Sequence, residues 1–267
     1  NFSYALYFIR ELADFAAGEF EELLEGIRRH ARVLAAQQRF LSLELDNHQS
    51  LRAVALLHAL PLMRGEPEFP AMLKLAVDWC EWHVLNEFHP SGALYENSPS
   101  YHAFVLWHGR DYLAMAGQLG YTPSEAARER MEKAARALVF YRRPDGLTLT
   151  INDSYALRPD ALLQSLDRAS AAAPATGLLS PGGLAVGVAN DCYAAFDVSD
   201  FTGRFSHYHG GKNALIAFFA GISFLDDSGC PNYDNPEFGP CKRSIRHSSL
   251  LVDGAGDAHT FGLYGFD

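Results

Sequence analysis

From the N-terminus to about residue 143, apolar positions recur at three-to-four spacing among abundant Ala, Leu, Glu and Arg, as at Leu23, Ile27, the His30-Ala31 pair and Leu34. That period predicts several successive amphipathic helices. The clearest helix start is Ser98-Pro99-Ser100-Tyr101, where Ser98 can cap the first turn, Pro99 suits the first helical position, and Gly117 or Gly120 can end the helix. Val105, His108, Tyr112, Met115 and Leu119 share one stripe of it. Around 169–183 the chain turns rich in Ala, Pro, Ser and Gly, which reads as a linker. Beyond it come short β-rich runs at 184–188, 192–198, 214–225 and 248–252, separated by Gly, Asp, Asn and Pro.

Helices first and strands after, with no βαβ alternation, predict a multidomain α+β protein with an antiparallel sheet in its second half. The expected boundary puts a helical domain at 1–175 and a strand domain at 176–267. The run 214–225 is the longest strongly apolar stretch; it is too short to span a bilayer as a helix and reads as one buried strand.

The 267 residues, 48% hydrophobic and 20% charged, can bury one large core or two smaller ones. A formal charge of -10 argues against general nucleic-acid binding, and neither a nucleic-acid nor a membrane partner is expected. Cys80, Cys192, Cys230 and Cys241 form no CxxC pair, so neither a thiolate zinc site nor a disulfide framework is indicated, although a Cys230–Cys241 bridge remains open. The chain begins at Asn1 without an initiator Met and stops just after strand-rich sequence has begun, which is the expectation for a fragment; the lack of a signal peptide therefore says nothing about export.

Several residues can carry chemistry. His207 and His209 flank Tyr208, so in an extended segment both imidazoles face one side. Asp227 follows the apolar run and His247 precedes 248–252, so three imidazoles and a carboxylate lie on consecutive strand-like segments, a set able to hold a divalent metal and leave one histidine for proton transfer. Asp226 and Asp227 would face opposite sides of a strand and cannot form a glycosidase pair. Tyr101 falls in the first turn of its helix, where the macrodipole favours a phenolate, or it is a core aromatic. Asn47-His48 lies near a helix start, as a capping Asn with a surface His or as a clamp for a substrate carboxylate. Arg204, Lys212, Lys242, Arg243 and Arg246 form a local basic patch, either a solvated surface or a grip for carboxylate or sulfate groups.

Taken in order, Asn47-His48-Gln49, the block Glu96-Asn97-Ser98-Pro99-Ser100-Tyr101-His102, His207-Tyr208-His209, Asp227-Ser228-Gly229, Tyr233 and Arg246-His247-Ser248 resemble the heparinase II/III superfamily of polysaccharide lyases. The resemblance implies an N-terminal α/α toroid followed by an antiparallel β-sandwich, both incomplete here. It implies β-elimination on a uronic-acid glycan, with a heparan-sulfate-like glycosaminoglycan ahead of alginate. By resemblance Asn47 and His48 neutralise the uronate carboxylate, Tyr101 is the general acid, and His207 is the partner base. Glu96, His102, Arg204, Tyr233, Arg243 and Arg246 would bind substrate. His209, Asp227 and His247 would bind a structural divalent metal, zinc. In that pattern Gly210-Gly211-Lys212-Asn213 departs from the usual small residue and Asp after the second histidine. An acidic polysaccharide partner and a periplasmic or secreted location follow from the same likeness. A uronate C5 epimerase, a zinc hydrolase built on His209, Asp227 and His247, and a noncatalytic carbohydrate-binding protein remain as other readings.

Overall fold

The structure is a computed structural model that describes residues 17–38, 45–166, 176–180, 183–198 and 207–256. Helices come first: α1 (Ala17–Gln38), α2 (Asn47–Ala59), a 3-10 turn (Leu60–Met63), α3 (Phe69–Glu87), α4 (Pro99–Gln118), α5 (Glu125–Phe140) and the short α6 (Asp160–Ser165). Five strands follow, β1 (Gly177–Leu179), β2 (Leu184–Ala189), β3 (Cys192–Asp197), β4 (Leu215–Phe219) and β5 (Ile222–Leu225), then α7 (Phe238–Cys241) and a 3-10 turn (Ser244–Arg246). The expected α+β order is therefore present. The expected boundary at 175–176 borders 167–175, which lie outside the described residues. Among the described residues no helix is long and apolar enough to cross a membrane, and all four cysteines are free thiols.

The chain forms two compact units, residues 1–84 with 108–127, and residues 85–107 with 128–267. In the first, α1 buries Ile27, Ala31 and Ala35 at four-residue spacing, while His30 is exposed and does not join that stripe. Arg32 on α1 reaches Glu25, Glu66 and Glu68, binding the helix to the turn that precedes α3. The cap of α2 is Asp46, not Asn47: its carboxylate accepts the amides of His48 at 2.6 Å and Gln49 at 3.2 Å. That leaves Asn47 buried in the first turn and His48 exposed.

In the second unit, Arg130 donates to the carbonyls of Leu85 and Phe88, satisfying acceptors at the end of α3. Helix α5 buries Met131, Ala134, Ala135 and Leu138. The five strands form an antiparallel meander in the order β1-β2-β3-β4-β5. Cross-strand rows Val186–Ala195–Ile216 and Tyr193–Phe218 lie on its buried face. The strand expected over 214–225 is two strands, because Ala220 (φ 49°) and Gly221 (φ 76°) make a two-residue turn of the kind that matches strand twist. Apolar content alone hid that turn, and it leaves Phe219, Ile222 and Phe224 exposed instead of buried. The run 248–252 forms no strand; it holds a Val252–Ala255 bridge, a bond from Leu215 N to Ser248 O and one from Ser249 Oγ to Ser244 O. Strand β1 lies where the sequence reads as linker.

Three buried imidazoles set an acid limit on this fold. Burial pushes His83, His102 and His108 down to about 4 from an ordinary 6.5, the His102 bond to Ala134 O and nearby charges acting more weakly. On unfolding each regains the ordinary value and binds a proton between those limits, so stability is full above about pH 6.5 and falls as pH drops toward 4. Each can contribute up to a few kcal/mol, on the order of 1.4 kcal/mol per pH unit of separation. Denaturant unfolding at pH 7, 5.5 and 4.5 is expected to show this decline, and His102→Gln to show a shallower one.

Candidate active site

Residues 147–154, which bend at Asn152 and Asp153, pass the N-terminus of α4. Ser98, the residue before that helix, receives the Tyr101 amide at 3.4 Å and also bonds Asp153 O at 3.2 Å and Ser154 Oγ at 2.7 Å. Ser100 adds a bond to Asp153 O at 3.3 Å. The cap expected at Ser98 is thus also a bolt between two segments more than 50 residues apart in sequence. Asn152, with φ 57°, completes the frame by donating to Asn97 O at 2.6 Å and accepting from His209 N at 3.0 Å.

At the centre is the carboxylate of Asp153, which is 1% exposed. Its Oδ2 accepts from His207 Nδ1 at 3.0 Å and Tyr233 OH at 3.3 Å; its Oδ1 accepts from His209 Nε2 at 2.6 Å. The Lys242 ammonium lies 3.3 Å from both oxygens. Burial opposes ionisation of Asp153, but the His207 and His209 hydrogen bonds and the Lys242 charge outweigh it and hold the carboxyl well below the usual carboxylate range. An ionised Asp only accepts, so both imidazoles must present N–H to it.

Against this centre Tyr101 stacks on His207, with ring centroids 3.7 Å apart and planes 13° from parallel. The Tyr101 and Tyr233 hydroxyls are 2.7 Å apart. Because Tyr233 gives its hydrogen to Asp153, its oxygen receives that of Tyr101. Burial pushes the Tyr101 hydroxyl above the ordinary tyrosine range; the Tyr233 hydrogen bond pulls the other way, and the Asp153 and Glu96 charges add to the rise. The phenolate expected from the helix dipole is thus overridden, and Tyr101 stays protonated near neutral pH. Tyr233 is shifted upward as well, by burial first and then by its bond with Tyr101.

The structure brings together Glu96, Tyr101, His207, His209, Asp227, Tyr233 and His247 in the second unit. Glu96 is buried, its Oε2 3.4 Å from His207 Nε2, so it partners the histidine instead of standing out toward substrate. His102 is fully buried, bonded to Ala134 O at 2.8 Å and packed edge-on to Phe88 and Tyr141; substrate contact gives way to a packing role there. The basic patch is also revised. Lys242 is interior and ion-paired, Arg246 pairs with Glu237 at 3.1 Å on the surface, Arg243 is exposed, and Arg204 lies outside the described residues. Asn47 and His48 lie in the first unit, where Asn47 O accepts from Ser50 Oγ at 3.0 Å and His108 Nδ1 lies 2.9 Å from the same hydroxyl.

His209, Asp227 and His247 form a buried group whose ligand atoms lie within 4.8 Å of one another. His209 Nδ1 and His247 Nε2 are buried with no hydrogen-bond partner among the described residues, while Asp227 Oδ2 is 2.6 Å from His247 Nδ1. Two unpartnered imidazole nitrogens beside a carboxylate suit a divalent ion of zinc type. The glycines that depart from the expected pattern let this group close. A Cβ on Gly210 would stand 2.5 Å from Ser244 Oγ and 2.9 Å from Ser244 N, and one on Gly211 would stand 3.1 Å from the His247 ring.

Sequence reasoning missed Asp153 and the interior role of Lys242. Asn152-Asp153-Ser154 reads as a turn, and the one available signal was an acid at the end of the alternating 147–152 stretch. Gly210→Ala is expected to push Ser244 and its turn away from His209, costing about 1–3 kcal/mol, as overpacking does; a lowered midpoint of thermal unfolding checks it.

No protein-family model and no curated protein matches the chain. Among solved structures, a heparinase III gene product with methylated lysines is similar at 17% identity and a TM-score of 0.70, over 89% of this chain and 40% of its own. Another structure of a heparinase III gene product gives 18% and 0.66, over 78% and 37%. The heparan sulfate lyase HepC from Pedobacter heparinus gives 17% and 0.68, over 89% and 41%. The chain spans about two fifths of the length of these structures. At such identity the likeness speaks for architecture, and the architecture of this chain is the heparinase II/III-like α+β fold.

Proposed function

We propose that this chain carries the proton-transfer site of a polysaccharide lyase acting on a uronic-acid glycan, with a heparan-sulfate-like glycosaminoglycan as the favoured substrate. The observation that supports it most is the stack of a protonated Tyr101 on His207, with Asp153 and Glu96 at the two ring nitrogens of that histidine. An acid and a base side by side serve an elimination, which removes one proton and delivers another without consuming water.

Each group has a defined part. With Nδ1–H held by Asp153, His207 takes the C5 proton of the uronate at Nε2, the nitrogen that faces the Glu96 carboxyl at 3.4 Å until substrate enters between them. The C5–H electrons form the C4=C5 double bond and the C4–O bond breaks, while Tyr101 gives its hydroxyl proton to the departing oxygen. The two carboxylates flanking the ring stabilise the imidazolium that forms, and the Tyr233 hydroxyl can turn to donate to the new Tyr101 phenolate. Solvent exchange then returns both residues to their starting state. His209, Asp227 and His247 would hold a divalent metal ion of zinc type, which would supply a fixed positive charge that locks the loops behind His207. Three protein ligands leave a fourth position, as catalytic zinc sites also do; the holding role is supported instead by a separate acid–base pair, Tyr101 and His207, already standing at the site.

Ultraviolet absorbance of the unsaturated uronate product, measured on heparan sulfate, alginate and other uronate polymers, tests the reading; no product with any of them would defeat it. Tyr101→Phe is expected to lower kcat by about 10²–10⁴-fold with KM little changed. Removing the metal with a chelator is expected to lower the thermal midpoint, and readdition of zinc to restore it; a zinc hydrolase would instead keep its activity in Tyr101→Phe.

A further inference from the structure

We infer that Asp153 is a positioning residue that couples the metal-ligating group to His207, one carboxylate oxygen setting each side. Oδ1 takes the Nε2–H of His209 at 2.6 Å and Oδ2 takes the Nδ1–H of His207 at 3.0 Å. Opposite ring nitrogens are engaged in the two histidines, and the consequence differs accordingly. In His209 the hydrogen on Nε2 leaves Nδ1 as the lone pair, and that atom is the buried one without a hydrogen-bond partner. In His207 the hydrogen on Nδ1 makes Nε2, which faces the Glu96 carboxyl at 3.4 Å, the atom of proton transfer. A single side chain therefore fixes two tautomers, in the manner of the outer partners that orient metal-bound imidazoles.

The backbone prevents the two halves from adjusting separately. Asp153 N donates to His207 O at 2.9 Å, and Asn152 Oδ1 accepts from His209 N at 3.0 Å, so residues 152–153 and 207–209 move as one piece. Turning the carboxylate to follow one imidazole would break its bond to the other. Displacement of His209 on metal loss would thus be passed to His207 through the two oxygens, without any contact between the metal group and the reacting sugar. Only the part played by His207 rests on the lyase reading; the tautomer and metal-affinity arms stand without it.

The experiment begins with the metal-free wild-type chain and nitrogen-15 NMR of its histidines. The expected result is hydrogen on Nε2 of His209 and on Nδ1 of His207; the opposite tautomer in either overturns the inference with no variant needed. Asp153→Asn turns one of the two accepting oxygens into an NH2 donor, and because His207 and His209 meet different oxygens, one of the two N–H groups loses its acceptor. Asp153→Asn/Lys242→Met removes the buried ammonium that Asn would leave without its counter-ion and guards against simple misfolding. In whichever variant folds, at least one tautomer is expected to be lost, and zinc affinity, measured by chelator competition, to fall by about 10–100-fold. Turnover should fall in kcat with KM little changed, and zinc removal should cost the variant fewer fold in kcat than it costs wild type. Wild-type zinc affinity with both tautomers retained would overturn the coupling. Absence of turnover in the wild-type chain would count against the lyase reading alone.

Discussion

A buried negative charge governs the second unit. The Asp153 carboxylate is removed from water, and an isolated ion in that setting would protonate or move outward. It stays ionised because two imidazole N–H groups, a tyrosine hydroxyl and an ammonium converge on it. Those donors come from three separate places in the chain, so the requirement to satisfy one carboxylate draws together residues 153, 207–209, 233 and 242. Replacement of any one donor leaves the others with a less well-satisfied interior charge, the costly half of a buried pair.

The surrounding chain is shaped to bring those donors close. Gly229, with φ 58°, lies where a Cβ would stand 2.4 Å from Ser154 O, so the turn carrying Asp227 can rest directly on the backbone next to Asp153. Gly210 does the same for the turn at Ser244–Arg246, and Gly211 for the ring of His247. Ser98 and Ser100 hold the far side of Asp153 through its carbonyl. The same network decides the state of Tyr101: surrounded by Asp153 and Glu96 and partly withdrawn from water, its hydroxyl keeps its proton despite a position at a helix start.

Much of this was legible in the sequence because it follows from local rules. Period and capping residues place the helices, although the cap of α2 is Asp46 and not the expected Asn47, and β-rich runs between turn residues place β2 and β3. The His207-His209 pair and its partners Asp227 and His247 stand out as ligand types at strand-like spacing. What was not legible depends on long-range packing. The turn at Ala220-Gly221 sits in an unbroken apolar run, and one of its residues is an alanine that ordinarily avoids positive φ. Lys242 beside Arg243 reads as surface charge until its partner is known. Asp153 is an ordinary turn acid until the fold surrounds it with donors, and Glu96 and His102 differ from their expected roles by which way a helix start faces the interior.

The sheet and the site also differ in the distance their contacts span along the chain. A meander in sequential order pairs each strand with the next, and β2–β3 and β4–β5 can each form as a short hairpin. The site must close loops of 54 residues between Asp153 and His207 and 89 between Asp153 and Lys242. Such closures cost chain entropy before any contact rewards them. The order implied is local hairpins and helices first and the buried charge last, so the chemistry of this chain is assembled only when the rest of its second unit is already in place.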